Sequence, residues 1–398
     1  MSLGHACVDV YQGAVAALVP YFVSERAYTY AAASGLVLAA SLLSSVVQPL
    51  FGALTDKWAM PWLLPVSALV GGAGVAMSGV GGSYAVTLCV VAVSGIGVAA
   101  YHPEAARVAR HASRGSHTAM GWFSLGGNLG FATAPPLVAA VIAVGGLGAT
   151  PLLVVPALAG AALCAAALRA LGTPAVPGGP DSVPGATATA TATVGRDDWA
   201  SFARLSGAVV CRSIVFVGLS TFISLYARQR TDGGEVSGTA ALFVLYLGGA
   251  VGTVVGGRLA TRHRRVAIVR WSYVLTVLAV AGVVLVPGPL LHLFVALTSV
   301  GLYVPFSLHV TLGQDYLPRR VGTAGGVTLG LTVSIGGLAG PLVGAVADAT
   351  TLQTALAPLI ALPAVGWLFL RTLREPVAPG PPTAPPTDPR TALEPDRR

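Results

Sequence analysis

Charge is what this sequence has least of: only 10% of its 398 residues are Asp, Glu, Lys or Arg, while 54% are hydrophobic. A water-soluble domain carries about 25% charged residues. Too few are present to build a water-facing surface, so lipid must cover most of it. Cysteine is also sparse. Cys7, Cys89, Cys164 and Cys211 each stand alone within an apolar segment. That pattern excludes a metal-binding cysteine spacing and argues against a disulfide framework; the four read as small buried hydrophobes. The opening residues, MSLGHACVDV, hold no Lys or Arg ahead of the apolar run, so the first segment is expected to be a retained helix rather than a cleaved leader. No Gly-Lys-Ser/Thr phosphate-binding loop is present, which disfavours an ATP-driven pump. No catalytic constellation supports an enzyme, no soluble domain supports a sensor, and no cofactor or metal is expected.

Long apolar runs fill the space that charge leaves. A bilayer core needs about 20 apolar residues per helix, and twelve runs meet that length, at residues 3–23, 32–54, 62–80, 84–103, 118–144 and 150–170, then 200–227, 237–258, 266–286, 289–312, 323–347 and 352–371. With an even number of spans both ends share a side. The loops and tails on that side hold 19 of the 23 Lys and Arg, against Arg26, Arg228 and Arg230 opposite and Arg212 inside a span. Basic residues stay on the cytoplasmic side, so both termini are expected there. The formal charge of +8 then needs no nucleic-acid partner; a basic tail beside an anionic leaflet accounts for it.

The chain also repeats itself. A shift of 205 residues lays 114–141 over 319–346 with ten of 28 positions identical, among them Pro136–Leu137–Val138 over Pro341–Leu342–Val343. The same shift places Gly52 over Gly257 and Lys57 over Arg262. Two parallel six-helix halves follow, related by an axis along the membrane normal. The expected organisation is an all-helical membrane protein with a bundle over 1–171, a cytoplasmic linker over 172–198, a second bundle over 199–372 and a disordered tail over 373–398.

Six plus six helices in parallel repeat already suggest the major facilitator fold, and the loops add to it. Gly52-x-x-x-Asp56-Lys57, between spans two and three, resembles the loop signature of that superfamily: a glycine for close helix approach and charges that latch the cytoplasmic ends. The second copy, Gly257 to Arg262, has Thr261 in the place of the acid. Gln314 and Asp315 follow span ten and are expected to join the latch with Gly52, Asp56, Lys57 and Arg262.

More narrowly, the sequence resembles the fosmidomycin-resistance family of drug exporters over roughly residues 4–372. The likeness rests on His5-x-x-x-Asp9, Gln48-Pro49 before the loop signature, Met60-Pro61-Trp62, His102-Pro103-Glu104-Ala105 with Arg107, and Gly126-Gly127-Asn128-x-Gly130. In the second half it rests on Arg212-Ser213, Leu225-Tyr226 and Gln314-x-x-Leu317-Pro318-x-x-x-Gly322. The resemblance implies export of a small drug or metabolite by proton antiport. The protein is expected in the cell membrane, working as a monomer. An uptake symporter of the same fold is the rival expectation.

Ionisable residues inside a membrane span mark a functional site and need a partner or water. His102 and Glu104 fall at the end of span four, where Pro103 limits helix bonding and Arg107 lies three residues beyond the acid. The expectation is a gating or proton-linked cluster; the bland alternative is a helix-ending turn with an interfacial salt bridge. His5 and Asp9 share one helix face. The 205-residue shift puts Arg212 at the depth of Cys7, so an Asp9–Arg212 or Glu104–Arg212 charge relation is expected in one access state. A snorkelling Arg212 and a wet, interfacial His5 are the plain alternatives. Arg212, Asn128 and Tyr11 are the expected substrate contacts.

Overall fold

The computed structural model describes residues 1–114, 116–171 and 196–376. Most of the expected linker and the tail from residue 377 lie outside the described residues, as does the side chain of Asp56. In lipid a backbone N–H or C=O finds no water, so each crossing must satisfy its own ladder, which a helix does. The described residues are helical, with no strand. Spans one to five are Ser2–Arg26, Tyr30–Lys57, Leu63–Met77, Tyr84–Ser113 and His117–Gly145. Span six opens with tight turns over Gly146–Val154 and continues as Val155–Leu171. Spans seven to nine are Trp199–Arg230, Gly234–Ala260 and Arg265–Leu285. Span ten breaks between Leu290–Tyr303 and Phe306–Tyr316, where Pro305 has no N–H to donate. Span eleven passes through a wider π-type stretch at Gly326–Leu331 before Thr332–Ala349, and span twelve runs from Leu352 to Leu370.

The twelve crossings match the twelve apolar runs, and polar residues close their ends. Thr29, Ser83, Ser116, Asp198 and Thr351 each accept the N–H three residues on, at 3.0 to 3.3 Å, which satisfies a first-turn donor. Span four departs from expectation: it passes Pro103 and ends only at Ser113. The bond lost at Pro103 is outweighed by the turns after it, where Ala105, Val108 and Ala109 remain buried.

Small residues set the spacing. A Cβ added at Gly126 would come 2.2 Å from the Ser2 carbonyl oxygen, and one at Gly130 2.3 Å from that of Ala6. Spans one and five therefore touch backbone to backbone. Cys164 and Cys211 are buried as expected, but Cys7 is half-buried and Cys89 is exposed on the outer face.

The two halves meet at the end of the bundle away from the termini. There the Asp348 carboxylate accepts the N–H groups of Tyr30 (2.7 Å) and Ala31 (2.9 Å), at the start of span two. Gln229 reaches the Tyr30 hydroxyl, and a Cβ on Gly344 would come 2.7 Å from Ala31 N. One apolar core crosses both halves at this level, joining Leu18 and Phe22 to Leu219 and Phe222. Toward the termini the halves separate. The second half keeps its own core there, around Leu205, Val269 and Leu312. A Cβ on Gly52, Gly121, Gly257 or Gly326 would find no described atom within 4 Å. Among the described residues, the close approach expected at Gly52 and Gly257 is not formed in this conformation.

Candidate functional site

Between the halves lies a cavity of about 230 Å³. Spans one, two and four contribute Gln12, Ser41, Ser44, Gln48 and Ser94, and span seven contributes Ser220. Phe131, Phe216 and Tyr246 form an aromatic flank, with Phe131 and Tyr246 meeting edge to face at 5.4 Å across the two halves. Among the described residues, none of the lining is charged. Tyr11 is on the wall as expected, although its hydroxyl is committed to the Leu153 carbonyl at 2.9 Å.

Spans one and four bring three groups together, packed against span five. His5 Nε2 lies 3.2 Å from Asp9 Oδ2, and His102 Nε2 lies 3.0 Å from Asp9 Oδ1. The other ring nitrogens are engaged: His5 Nδ1 with the Phe123 carbonyl at 2.9 Å, and His102 Nδ1 with the Val98 carbonyl at 2.7 Å. A carbonyl only accepts, so each Nδ1 must carry the hydrogen and donate it. A neutral ring then points a lone pair from Nε2 at a carboxylate that is itself acceptor-only. Three acceptors converge. The separations are those of ion pairs, yet His5 Nε2 and Asp9 Oδ1 complete no aligned hydrogen bond. His5 and Asp9 are only 7% and 5% exposed, so bulk water does not resolve the conflict. The cluster is built to hold positive charge.

Span five makes the enclosure. The Phe123 ring lies over His5 at 4.2 Å, inclined by 17°. A Cβ on Gly127 would fall 2.5 Å from Asp9 Oδ2 and 3.0 Å from His5 Nε2, so a glycine here lets span five seat this closely against the cluster. His5 is therefore not the wet interfacial residue the sequence alternative describes; the close seating of span five covers it. Phe123 and Gly127 were not singled out for this role from sequence, although Gly127 belongs to the quoted Gly-Gly-Asn run.

Glu104 is fully buried and holds Arg107 through two contacts, Nε–Oε2 at 2.9 Å and Nη2–Oε1 at 2.5 Å. The helix persists, so the pairing lies on a helix face rather than in a helix-ending turn. Arg212 is also buried, but it does not line the central cavity. Its Nε donates at 2.5 Å to the Leu302 carbonyl, in the last turn before the Pro305 break, where helix carbonyls lack partners. The guanidinium lies over Phe306 at 5.1 Å and Tyr303 at 5.8 Å. Among the described residues no carboxylate pairs with it, so neither Asp9–Arg212 nor Glu104–Arg212 is formed in this conformation. It does not snorkel to the surface. Tyr303 in turn meets Phe216, so one aromatic layer separates Arg212 from the cavity.

Asn128 is half-buried, away from the cavity wall, with its amide directed to the Ser124 carbonyl at 3.4 Å. Of the expected latch, Lys57 and Arg262 are exposed and Gln314 is half-buried. Asp315 pairs with Arg265 of its own half at 2.6 Å, and Arg265 also holds Glu375 at 3.0 Å.

Comparison with known proteins agrees with this architecture. The profile of the Major Facilitator Superfamily matches residues 1–341. The fosmidomycin resistance protein of Escherichia coli (strain K12) is 29% identical over 378 residues, covering 93% of this chain and 91% of that protein. YfnC of Bacillus subtilis (strain 168), described as an uncharacterized MFS-type transporter, is 29% identical over 376 residues, covering 92% and 89%. Among solved structures, a bacterial homolog of the human lysosomal transporter Spinster, inward-facing and occupied, superposes with a TM-score of 0.73 at 16% identity, covering 95% and 97% of the two chains. The nucleoside transporter NupG gives 0.73 at 14%, covering 94% and 98%. At such identities the structural likeness speaks for the fold alone.

Proposed function

This chain belongs to the Major Facilitator Superfamily and is a multi-pass membrane protein, and on that premise we propose that it exports a small drug or metabolite by proton antiport. The observation that carries the reading is the cavity between the halves, sealed at the end away from the termini and flanked by parted helix ends at the other. Such a cavity is one access state of a protein whose two bundles, 1–171 and 199–372, rock about a central site. With both termini in the cytoplasm of the cell, as the distribution of basic residues supports, this state is open to the inside and ready to load cargo. The protein works as a monomer in the cell membrane.

A proton arriving from outside lodges in the Asp9–His5–His102 cluster or on Glu104. In the cluster the proton supplies the positive charge that the converging acceptors lack, and on Glu104 it unpairs Arg107; either event shifts the two access states by whatever free energy separates their affinities for the proton. The lining is uncharged, with amides, hydroxyls and aromatic rings, which suits a compact polar cargo. A fosmidomycin-like phosphonate is the specific candidate, because a relative over nearly the whole chain is a fosmidomycin resistance protein. Arg212 would meet its oxyanion once Tyr303 and Phe216 move aside, by the bidentate geometry that guanidinium offers. Tyr11 and Asn128 complete the proposed contacts. Gly52, Asp56, Lys57, Arg262, Gln314 and Asp315 are proposed to close the cytoplasmic end in the opposite state, when the parted helices meet.

A susceptibility panel on cells with and without the gene, fosmidomycin included, tests the export reading. Inside-out vesicles with an acid interior should accumulate the drug that the panel identifies; outward movement with protons would make the protein a symporter. Glu104→Gln should reduce both resistance and drug-driven proton release. Unchanged resistance and unchanged release would remove Glu104 from the coupling path.

A further inference from the structure

We propose that His5, Asp9 and His102 form a binding site for one divalent transition-metal ion of the zinc type. Their ligand atoms all lie within 4.8 Å of one another. Zinc sits about 2.0–2.2 Å from nitrogen or carboxylate oxygen, which places two ligands of a tetrahedron about 3.3 Å apart. Each imidazole already lies at that spacing from one oxygen of the Asp9 carboxylate, 3.2 Å for His5 and 3.0 Å for His102, so side-chain rotation alone closes the set on one ion. The sequence reading expected no metal, because His102 stands 93 residues from Asp9 and no local spacing announces the set.

Two further features point the same way. Histidine ligands usually donate their second ring N–H to a carbonyl or carboxylate, which fixes the tautomer that binds metal. Both rings do this, to Phe123 and to Val98. His5 Nε2 and Asp9 Oδ1 are deeply buried without an aligned hydrogen bond, and an ion at the focus would take up their lone pairs. Gly127 presents no side chain to compete for that focus. Two imidazoles and one carboxylate select zinc, cobalt or nickel over magnesium and calcium, which prefer all-oxygen shells. Three protein ligands leave a fourth position for water or an anionic oxygen. Metal and proton then compete for the same lone pairs. The inference rests on the geometry of the cluster and stands whichever cargo or direction the transport assays return.

The test uses the untagged full-length protein in detergent at neutral pH, with neither drug nor proton gradient, titrated with Zn²⁺ and with Co²⁺ alone. One equivalent of Zn²⁺ should bind, and Co²⁺ should give the intense visible bands of a four-coordinate site. Loss of a partner that merely orients a ligand costs about 10–100-fold in affinity. His5→Gln and His102→Gln, which remove ligands, should each cost at least about 100-fold. His263→Gln, in an exposed loop, should bind as the wild type does. A second measurement needs no variant: zinc-edge X-ray absorption of the wild type should show nitrogen and oxygen neighbours including two imidazoles. Absence of binding, wild-type affinity in either ligand variant, or a sulfur shell at about 2.3 Å would each overturn the proposal.

Discussion

Gly127 and Gly130 lie one turn apart on span five and fail differently when a methyl group is added. At Gly130 the new carbon would be 2.3 Å from the Ala6 carbonyl oxygen, backbone that cannot yield without parting two helices. Overpacking of that kind costs about 1–3 kcal/mol, so Gly130→Ala should lower the melting temperature of the purified protein. At Gly127 the nearest atoms are the ends of the Asp9 and His5 side chains, which can rotate away. Gly127→Ala should keep a melting temperature closer to the wild type and still lose coupled transport, because it displaces Asp9 and His5 from their place in the cluster. Equal melting temperatures for the two variants would contradict this division. At this scale the sequence was informative but incomplete. The i, i+4 spacing of His5 and Asp9 and the Glu104–Arg107 spacing are local, and both pairs form. His102 joining Asp9, and Arg212 standing behind an aromatic layer, depend on how separate helices pack, which no local spacing encodes.

Single elements were legible as far as local rules decide them. Twelve apolar runs became twelve crossings because lipid leaves the backbone no other solution. Pro103 misleads for the same local reason: one missing N–H suggests a helix end, but burial on the following turns outweighs it. The start of span seven carries a prediction of its own. Asp198 accepts the Ser201 N–H at 3.0 Å, and the side-chain and backbone hydrogen bonds of Ser201 hold its carboxyl below the ordinary range. The folded-state value is the depressed one. The cap therefore contributes fully above the unfolded-state range, about 3.9, and its contribution fades as pH falls through the folded value. Asp198→Ala should cost about 1 kcal/mol at neutral pH, with the gap to wild type closing in acid. Asp198→Asn, which caps as well and does not titrate, should stay near the wild type at neutral pH; a melting-temperature series against pH reads both.

Across the whole molecule, function is proposed to lie in the balance between a sealed end and a parted one. Asp348 contributes to the seal with two charge-assisted bonds to the first turn of span two, a position favoured by the helix dipole. Bonds to charged groups are worth about 1.5–3 kcal/mol, and each 1.4 kcal/mol is about tenfold in population. Asp348→Ala should therefore raise the rate at which an impermeant thiol reagent added outside cells reaches Ser44→Cys in the cavity, by about tenfold or more. An unchanged rate would mean that the seal is held elsewhere. Internal repetition and charge asymmetry made the two-bundle plan and its proposed orientation readable from sequence. Which end is closed was not readable, because each sealing contact joins residues from opposite halves.

That seal also provides the most direct test of export by alternating access. A Cβ on Gly340 falls 3.8 Å from the Ser34 Cβ, the usual separation across a disulfide. In a background lacking the four native cysteines, Ser34→Cys with Gly340→Cys should cross-link on oxidation and stop transport of the drug that the susceptibility panel identifies. Reduction should restore it. A fully cross-linked protein that still transports at the wild-type rate would contradict the account.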